Sequence, residues 1–318
     1  MIRDHWNFTD APFGGSLDPA TFHPGAPQEE ALARLEWLVE ERQRFGLVVG
    51  AEGCGKSHLS AMAVRRLGGL GAEAVMLSLR GLSTGDWIDM LLERLPLDPA
   101  TRAEPLRPWQ KLENRLRENT LMERTTALVF DDVDAAPADA LDGLERLVGA
   151  AEPRYARTVV VATATPEGLA RVPAGIRRRA AVRIELVPWS EADVAGFLAR
   201  SLRRVGGAED LFSAEAVATL TRFAGGVPRV VGQLGRLALA AAAGDDAPRI
   251  DAATVERAWR ELAPAGGQEP APKKEGRAAG SARSPTVAMP ELPTPELVEE
   301  DDDMPPVKPR VRVVRRLW

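Results

Sequence analysis

One cysteine, Cys54, stands in the 318 residues, which excludes an internal disulfide framework and a zinc site built on cysteines. A reducing cytoplasm is the compartment this usage fits. No stretch approaches the roughly 18 apolar residues that a membrane-spanning helix needs, and the opening residues from Met1 to Trp6 hold no apolar signal core. Excess charge of one sign is also lacking: the formal net charge is −5. A surface built as a whole for nucleic acid or acidic lipid is therefore not expected, which leaves only local basic patches. Apolar residues are plentiful, at 45% of the chain, enough for one large or two small cores.

Composition divides the chain. From Pro264 to Pro309 it is crowded with Pro, Gly, Ala, Ser and charge, including the acidic run Glu299 to Asp303. Such a segment cannot bury enough apolar surface to offset its ordering entropy, so residues 263–309 read as a disordered linker. Residues 310–318 end in Val311-Arg-Val-Val-Arg-Arg-Leu-Trp318, which reads either as a peptide that docks on a protein partner or as a plain tail. Before the linker, five apolar runs predict strands at Gly46–Gly50, Ala74–Leu79, Ala127–Asp131, Thr158–Thr163 and Val182–Val187. Their lack of strict alternation predicts a parallel sheet buried on both faces. Helical patterns separate them: 28–45, with Arg42 and Arg44 in its last turn, then 56–67, 86–95, 109–119 and 141–151. Strand–helix alternation predicts an α/β three-layer domain over 46–188, with 1–45 as its lead-in and first helix. From 189 to 262 only helical patterns remain, a small lid. Ser190 with Asp193 predicts a capping box, Ser213 and Asp251 predict N-caps, and Gly225-Gly226 predicts a helix stop.

Gly50-Ala-Glu-Gly-Cys-Gly-Lys56-Ser57 fits G-x-x-x-x-G-K-[ST], with an apolar strand before it and a helical face after it. Glycines in such a loop let backbone N–H groups turn toward phosphate oxygens, and the helix N-terminus adds partial positive charge. Gly50, Ala51, Glu52, Gly53, Cys54, Gly55, Lys56, Ser57 and the following His58 are thus the candidate nucleotide contacts. Lys56 would reach the outer phosphates of ATP, and the Ser57 hydroxyl would bind Mg²⁺. Asp131 and Asp132 close the strand Ala127 to Asp131. In a parallel sheet that edge meets the phosphate loop, so Asp131 is the second Mg²⁺ candidate and Asp132 the candidate for polarising the attacking water. The guanine signature Asn-Lys-x-Asp is absent.

These elements resemble AAA+ ATPases of the general secretion pathway A (ExeA) kind, related to the TniB and TnsC transposition ATPases. The resemblance runs from about Trp6 to Leu262 and includes the lead-in Trp6-Asn-Phe-Thr-Asp-Ala-Pro-Phe13, Leu17 to Pro24 and Glu30 to Leu35. It implies an AAA+ P-loop fold, a helical lid, ATP and Mg²⁺ as ligands, and a homo-oligomer when ATP is bound. It places the stretch before the first helix near the adenine. By the same resemblance, Thr165 aligns best with the γ-phosphate sensor, with Thr163 its rival. Arg179 is the closest match among Arg177 to Arg179 to an arginine finger. Arg229, in Gly226-Val-Pro-Arg229, matches the second sensor, and a cation at a helix N-terminus independently suggests a phosphate partner.

Two departures qualify what carries over. The family has glutamate where Asp132 stands, one methylene shorter, so hydrolysis is expected to be slow. The secretion proteins also carry a membrane span and a cell-wall-binding module after the ATPase, neither found here, so the secretion role is not carried over. Cys54 admits two readings, a tolerated small residue or a redox-sensitive thiol with a depressed pKa. Three functions stay open: an ATPase that drives or gates a partner interaction, a slow ATP-dependent switch, and a DNA-associated transposition-type ATPase using Arg65-Arg66, Arg177–Arg179 and Arg203-Arg204.

Overall fold

The computed structural model describes residues 2–14, 17–149 and 155–262. The expected linker and terminal peptide lie outside the described residues. The five apolar runs form β1 (Phe45–Gly50), β2 (Glu73–Ser78), β3 (Thr126–Asp131), β4 (Thr158–Ala164) and β5 (Val182–Leu186). All pair in parallel, in the order β2-β3-β4-β1-β5. Successive side chains point to opposite faces of a strand. Leu47, Leu128, Phe130, Val160 and Ala162 enter one core, while Val48, Val129, Val159 and Val161 enter the other. With both faces covered, a strand has no solvent side to mark with polar residues.

Three helices belong to the first part of the chain: α1 (Ile2–Trp6), α2 (Ala26–Glu40) and α3 (Lys56–Gly69). Leu32, Leu35 and Leu38 of α2, with Leu59 and Ala63 of α3, pack on one sheet face. The other face is covered from α4 (Asp86–Arg94), α6 (Pro108–Leu121), α7 (Ala138–Gly149) and α8 (Ala174–Arg178), while α5 (Pro99–Ala103) is a single turn between α4 and α6. Helix α2 stops at Glu40, short of the expected 45. Phe45 is fully buried in β1, and Arg42 at φ 53° turns the chain into it, so Arg42 and Arg44 lie beyond the helix. The one-turn helices α1, α5 and α8 are too short to show a periodicity.

The lid consists of α9 (Glu191–Arg204), α10 (Ala214–Ala224), α11 (Pro228–Gly244) and α12 (Ala252–Leu262) around its own core. The cap signals are all used. Ser190 and Asp193 cap each other's backbone, Ser213 accepts from the Ala216 N–H, and Asp251 accepts from the Thr254 N–H. Gly225 and Gly226 take positive φ and end α10. The lead-in divides between the two cores. Trp6, Phe8 and Phe13 pack in the lid, and the Trp6 indole N–H donates to the Leu239 carbonyl at 3.2 Å, whereas Phe22 packs under the sheet.

Gly143 in α7 faces Trp87, and a Cβ there would lie 2.4 Å from the indole carbon Cζ2. Trp87 has little room to move: its N–H donates to Asp139 at 3.0 Å, and its ring packs on Trp109 and Phe130. Alanine gains about 1 kcal/mol over glycine in an open helix, but overpacking costs about 1–3 kcal/mol. Gly143→Ala is expected to lower stability by about 1–2 kcal/mol in urea unfolding, opposite to its helix propensity.

Candidate nucleotide-binding site

The chain leaves β1 at Gly50 and enters α3 at Lys56, and residues 51–55 form the loop between. Gly53 (φ 81°) and Gly55 (φ 91°) adopt left-handed backbone that a side chain resists. Gly53 is confined for a second reason: a Cβ there would lie 3.0 Å from Val227 Cγ1 and 3.1 Å from Arg229 Cβ. The Arg229 N–H also donates to the Gly53 carbonyl at 3.2 Å, so the start of α11 docks on the loop. Lys56 is buried, at 6% exposure, and its ammonium donates to the carbonyls of Gly50 (2.8 Å) and Ala51 (3.2 Å). Those partners are neutral, so the lysine's charge can serve an anion that enters the loop.

Asp131 is 2% exposed. The Ser57 hydroxyl donates to its Oδ2 at 2.5 Å, and the Thr163 hydroxyl donates to its Oδ1 at 2.6 Å. Burial pushes the Asp131 carboxyl up from its ordinary value, while the two hydroxyl bonds and the charge of Lys56 work against that rise. A buried carboxylate beside a hydroxyl on a phosphate loop is a hard-oxygen set that fits Mg²⁺, which is held by one or two carboxylates together with substrate phosphates.

Asp132 follows at φ 57° and accepts from Arg80 Nε at 2.9 Å, an ion pair in which the carboxylate is largely covered. Its N–H donates to the Thr163 hydroxyl at 3.0 Å. Of the two sensor candidates, Thr163 thus touches both acidic residues. Thr165 bonds a different carboxylate: its hydroxyl and N–H donate to Asp134. Neither threonine is part of the cavity wall. In β4 the side chain that points up at the sheet edge between β3 and β1 is that of Thr163. Arg80 escaped the sequence reading because only the pairing of β2 with β3 brings it beside Asp132.

Loop, α3 and lid enclose a cavity of about 630 Å³. Phe22, His23, Trp189 and Phe197 are among its lining residues, with ring centroids 5.3 Å apart for His23–Trp189 and 5.0 Å for Trp189–Phe197. Burial pushes the His23 imidazole below its ordinary value. Lys56, Ser57, Arg80, Asp132 and Arg229 also line the cavity, and Arg229 pairs with Glu52 at 3.0 Å. His58 also lines the cavity and is 3.3 Å from the Thr21 hydroxyl. Arg179 lies elsewhere, exposed after α8 and 3.4 Å from the Gly149 carbonyl. Cys54 is buried, and burial pushes its thiol pKa up, so the depressed, redox-sensitive thiol is not what the fold provides. Among the described residues no helix is long and apolar enough to cross a membrane.

Thr163 joins the ends of β4 and β3 through one hydroxyl. Thr163→Val keeps the shape but leaves buried Asp131 with one donor fewer and the Asp132 N–H without its acceptor. A loss of about 1–3 kcal/mol in chemical denaturation is expected. Thr165→Val, which touches neither residue, should leave the Asp131 site intact.

Residues 39–171 match the family model described as an AAA domain. Over 248 residues the chain is 23% identical to general secretion pathway protein A of Aeromonas hydrophila. That match covers 76% of this chain and 45% of the relative, so the chain spans about half the length of the curated relative. Among solved structures, Cdc6p from Pyrobaculum aerophilum superposes with a TM-score of 0.61 at 16% identity, over 80% of this chain and 71% of that one. The Drosophila ORC bound to DNA gives 0.61 at 18% identity, over 83% and 67%. Likeness at such identities speaks for the fold alone. The matched domain and the parallel sheet of this order agree: residues 39–171 match an AAA domain, the chain has a P-loop fold, and it is similar to general secretion pathway protein A.

Proposed function

We propose that the protein binds ATP with Mg²⁺ between the loop and the lid and hydrolyses it to ADP and phosphate, gating an interaction with a protein partner. The match to an AAA domain supports ATP binding. The observation that carries the reading is one cavity whose wall holds the aromatic rings of Phe22, His23, Trp189 and Phe197 together with Lys56, Ser57, Asp132 and Arg229. A flat heteroaromatic base suits the rings and a chain of phosphates the charged groups. Lys56 would exchange its two carbonyl contacts for phosphate oxygens, joined by the loop N–H groups and the start of α3. Ser57 and Asp131 would hold Mg²⁺, which neutralises charge between the outer phosphates when bound. Asp132, once clear of Arg80, would orient a water whose oxygen bonds the γ-phosphorus as the bond to the β–γ bridging oxygen breaks.

Arg179 is exposed and outside its own cavity, which suits a guanidinium reaching the terminal phosphate of a neighbouring copy in a homo-oligomer. Phosphate release by the full chain is expected to rise more than linearly with protein concentration, and to fall by about 100-fold or more in Lys56→Ala. Absence of nucleotide binding by the wild type would sink the reading.

A second reading, a slow switch that binds ATP and turns over little, draws on the Arg80–Asp132 pair and the short Asp132 side chain. Arg80→Ala is expected to raise single-turnover hydrolysis several-fold with ATP binding retained; unchanged or lower turnover would mean the pair does not restrain Asp132. The DNA-associated reading draws on less. Arg66 is held by Glu29 and Glu36, Arg203 by Glu209, and Arg204 by the carbonyls of Ala11 and Pro12. Those charges serve contacts within the molecule.

A further inference from the structure

Arg229 is the second residue of α11, where the helix dipole opposes a cation, and no acidic residue lies in that helix's first turn. Its partner comes from outside the lid: Nη1 lies 3.0 Å from Oε1 of Glu52, a carboxylate on the phosphate loop itself. Glu52 also adds to the negative field acting on Arg80, and both guanidinium groups line the cavity with it. Both members of the Glu52–Arg229 pair are well exposed, at 72% and 59%. An exposed pair is weak and exchangeable. The lid does not depend on it for its place, because the Arg229 N–H bonds the Gly53 carbonyl and the Val227 and Arg229 side chains pack over Gly53. The guanidinium can therefore change partner while its Cα stays where it is.

We propose that Glu52 competes with the terminal phosphate of a bound nucleoside triphosphate for Arg229. The loop then sets how strongly the protein distinguishes a triphosphate from a diphosphate. This rests on the nucleotide site proposed above. With a diphosphate bound, the Arg229 guanidinium keeps Glu52. A γ-phosphate, more highly charged and with three acceptor oxygens, draws it away at the expense of that pair. Glu52 is thus a positioning residue that acts through Arg229, and it lowers triphosphate affinity by the worth of one exposed ion pair.

The test is calorimetric titration of the full chain with Mg²⁺–ATPγS and with Mg²⁺–ADP. Glu52→Gln is expected to tighten ATPγS relative to ADP by about 2- to 5-fold, with thermal unfolding reporting that the variant is folded. The gain should vanish in the Arg229→Ala background, shrink at high ionic strength, and be absent in Glu52→Asp if the shorter carboxylate still reaches the guanidinium. An equal gain for ADP and ATPγS would mean plain repulsion between Glu52 and phosphate, and would overturn the proposal. So would no gain, or a gain that survives loss of Arg229. Binding of neither nucleotide by the wild type would instead overturn the site itself, an outcome distinct from wild-type binding with an unmoved ratio.

Discussion

A carboxylate buried at the edge of a sheet must find donors, and the arrangement of this site follows from how Asp131 finds them. β4 lies between β3 and β1, and neighbouring strands are about 4.8 Å apart. Asp131 therefore sits about 10 Å across the sheet from the strand that feeds the phosphate loop. Two hydroxyls span that gap from different elements, Ser57 from the first turn of α3 and Thr163 from the end of β4. Thr163 also accepts from the Asp132 backbone. The loop, the buried aspartate and the residue beside it are thereby held in one register. If the Asp131 pair failed, it would uncouple the helix that presents Lys56 from the strand that presents Asp132.

The lid depends on the same loop by a different kind of contact. Gly53 has no side chain, and its carbonyl takes the N–H of Arg229, so the lid rests on loop backbone. The N-terminal arm ties the lid from the other side, with Phe8 and Phe13 in the lid core and Phe22 in the sheet core. Phe13 and Phe22 both line the cavity. A ligand that moved the loop would be felt in the lid through Gly53, so this contact makes the lid responsive to what the loop holds.

Much of this was legible in the sequence, and what was not shares a cause. Strand positions could be read because β-branched apolar runs buried on both faces have few alternatives, and Ser190, Ser213 and Asp251 marked helix starts through hydrogen bonds local to the chain. Lys56, Ser57 and Asp131 follow from spacing along the chain. Thr163, Arg80 and Glu52 act through neighbours that only strand order or lid docking supplies, and no local pattern encodes β2 beside β3 or α11 above Gly53. Likewise the sequence does not say which threonine of this stretch meets which carboxylate: packing gives Thr163 to Asp131 and Thr165 to Asp134. The lead-in was expected to belong to the ATPase core. Its aromatic residues fit either core equally well by composition, and only packing assigns Phe8 and Phe13 to the lid.

Several local choices at this edge run against stability. Asp131 is a carboxylate in a place that disfavours its charge, Asp132 is a non-glycine residue at positive φ, and Arg229 is a cation at a helix N-terminus. The left-handed backbone alone costs about 1 kcal/mol. Non-glycine residues at positive φ also stand in turns at Asn7, Arg42, Glu123 and Asp246, so that feature alone does not mark the site. The other two conflicts are met by side chains that a cation or a phosphate can replace: the Ser57 hydroxyl at Asp131 and Glu52 at Arg229. Because both contacts are exchangeable, binding can reorganise charge at the sheet edge without rebuilding the backbone beneath it.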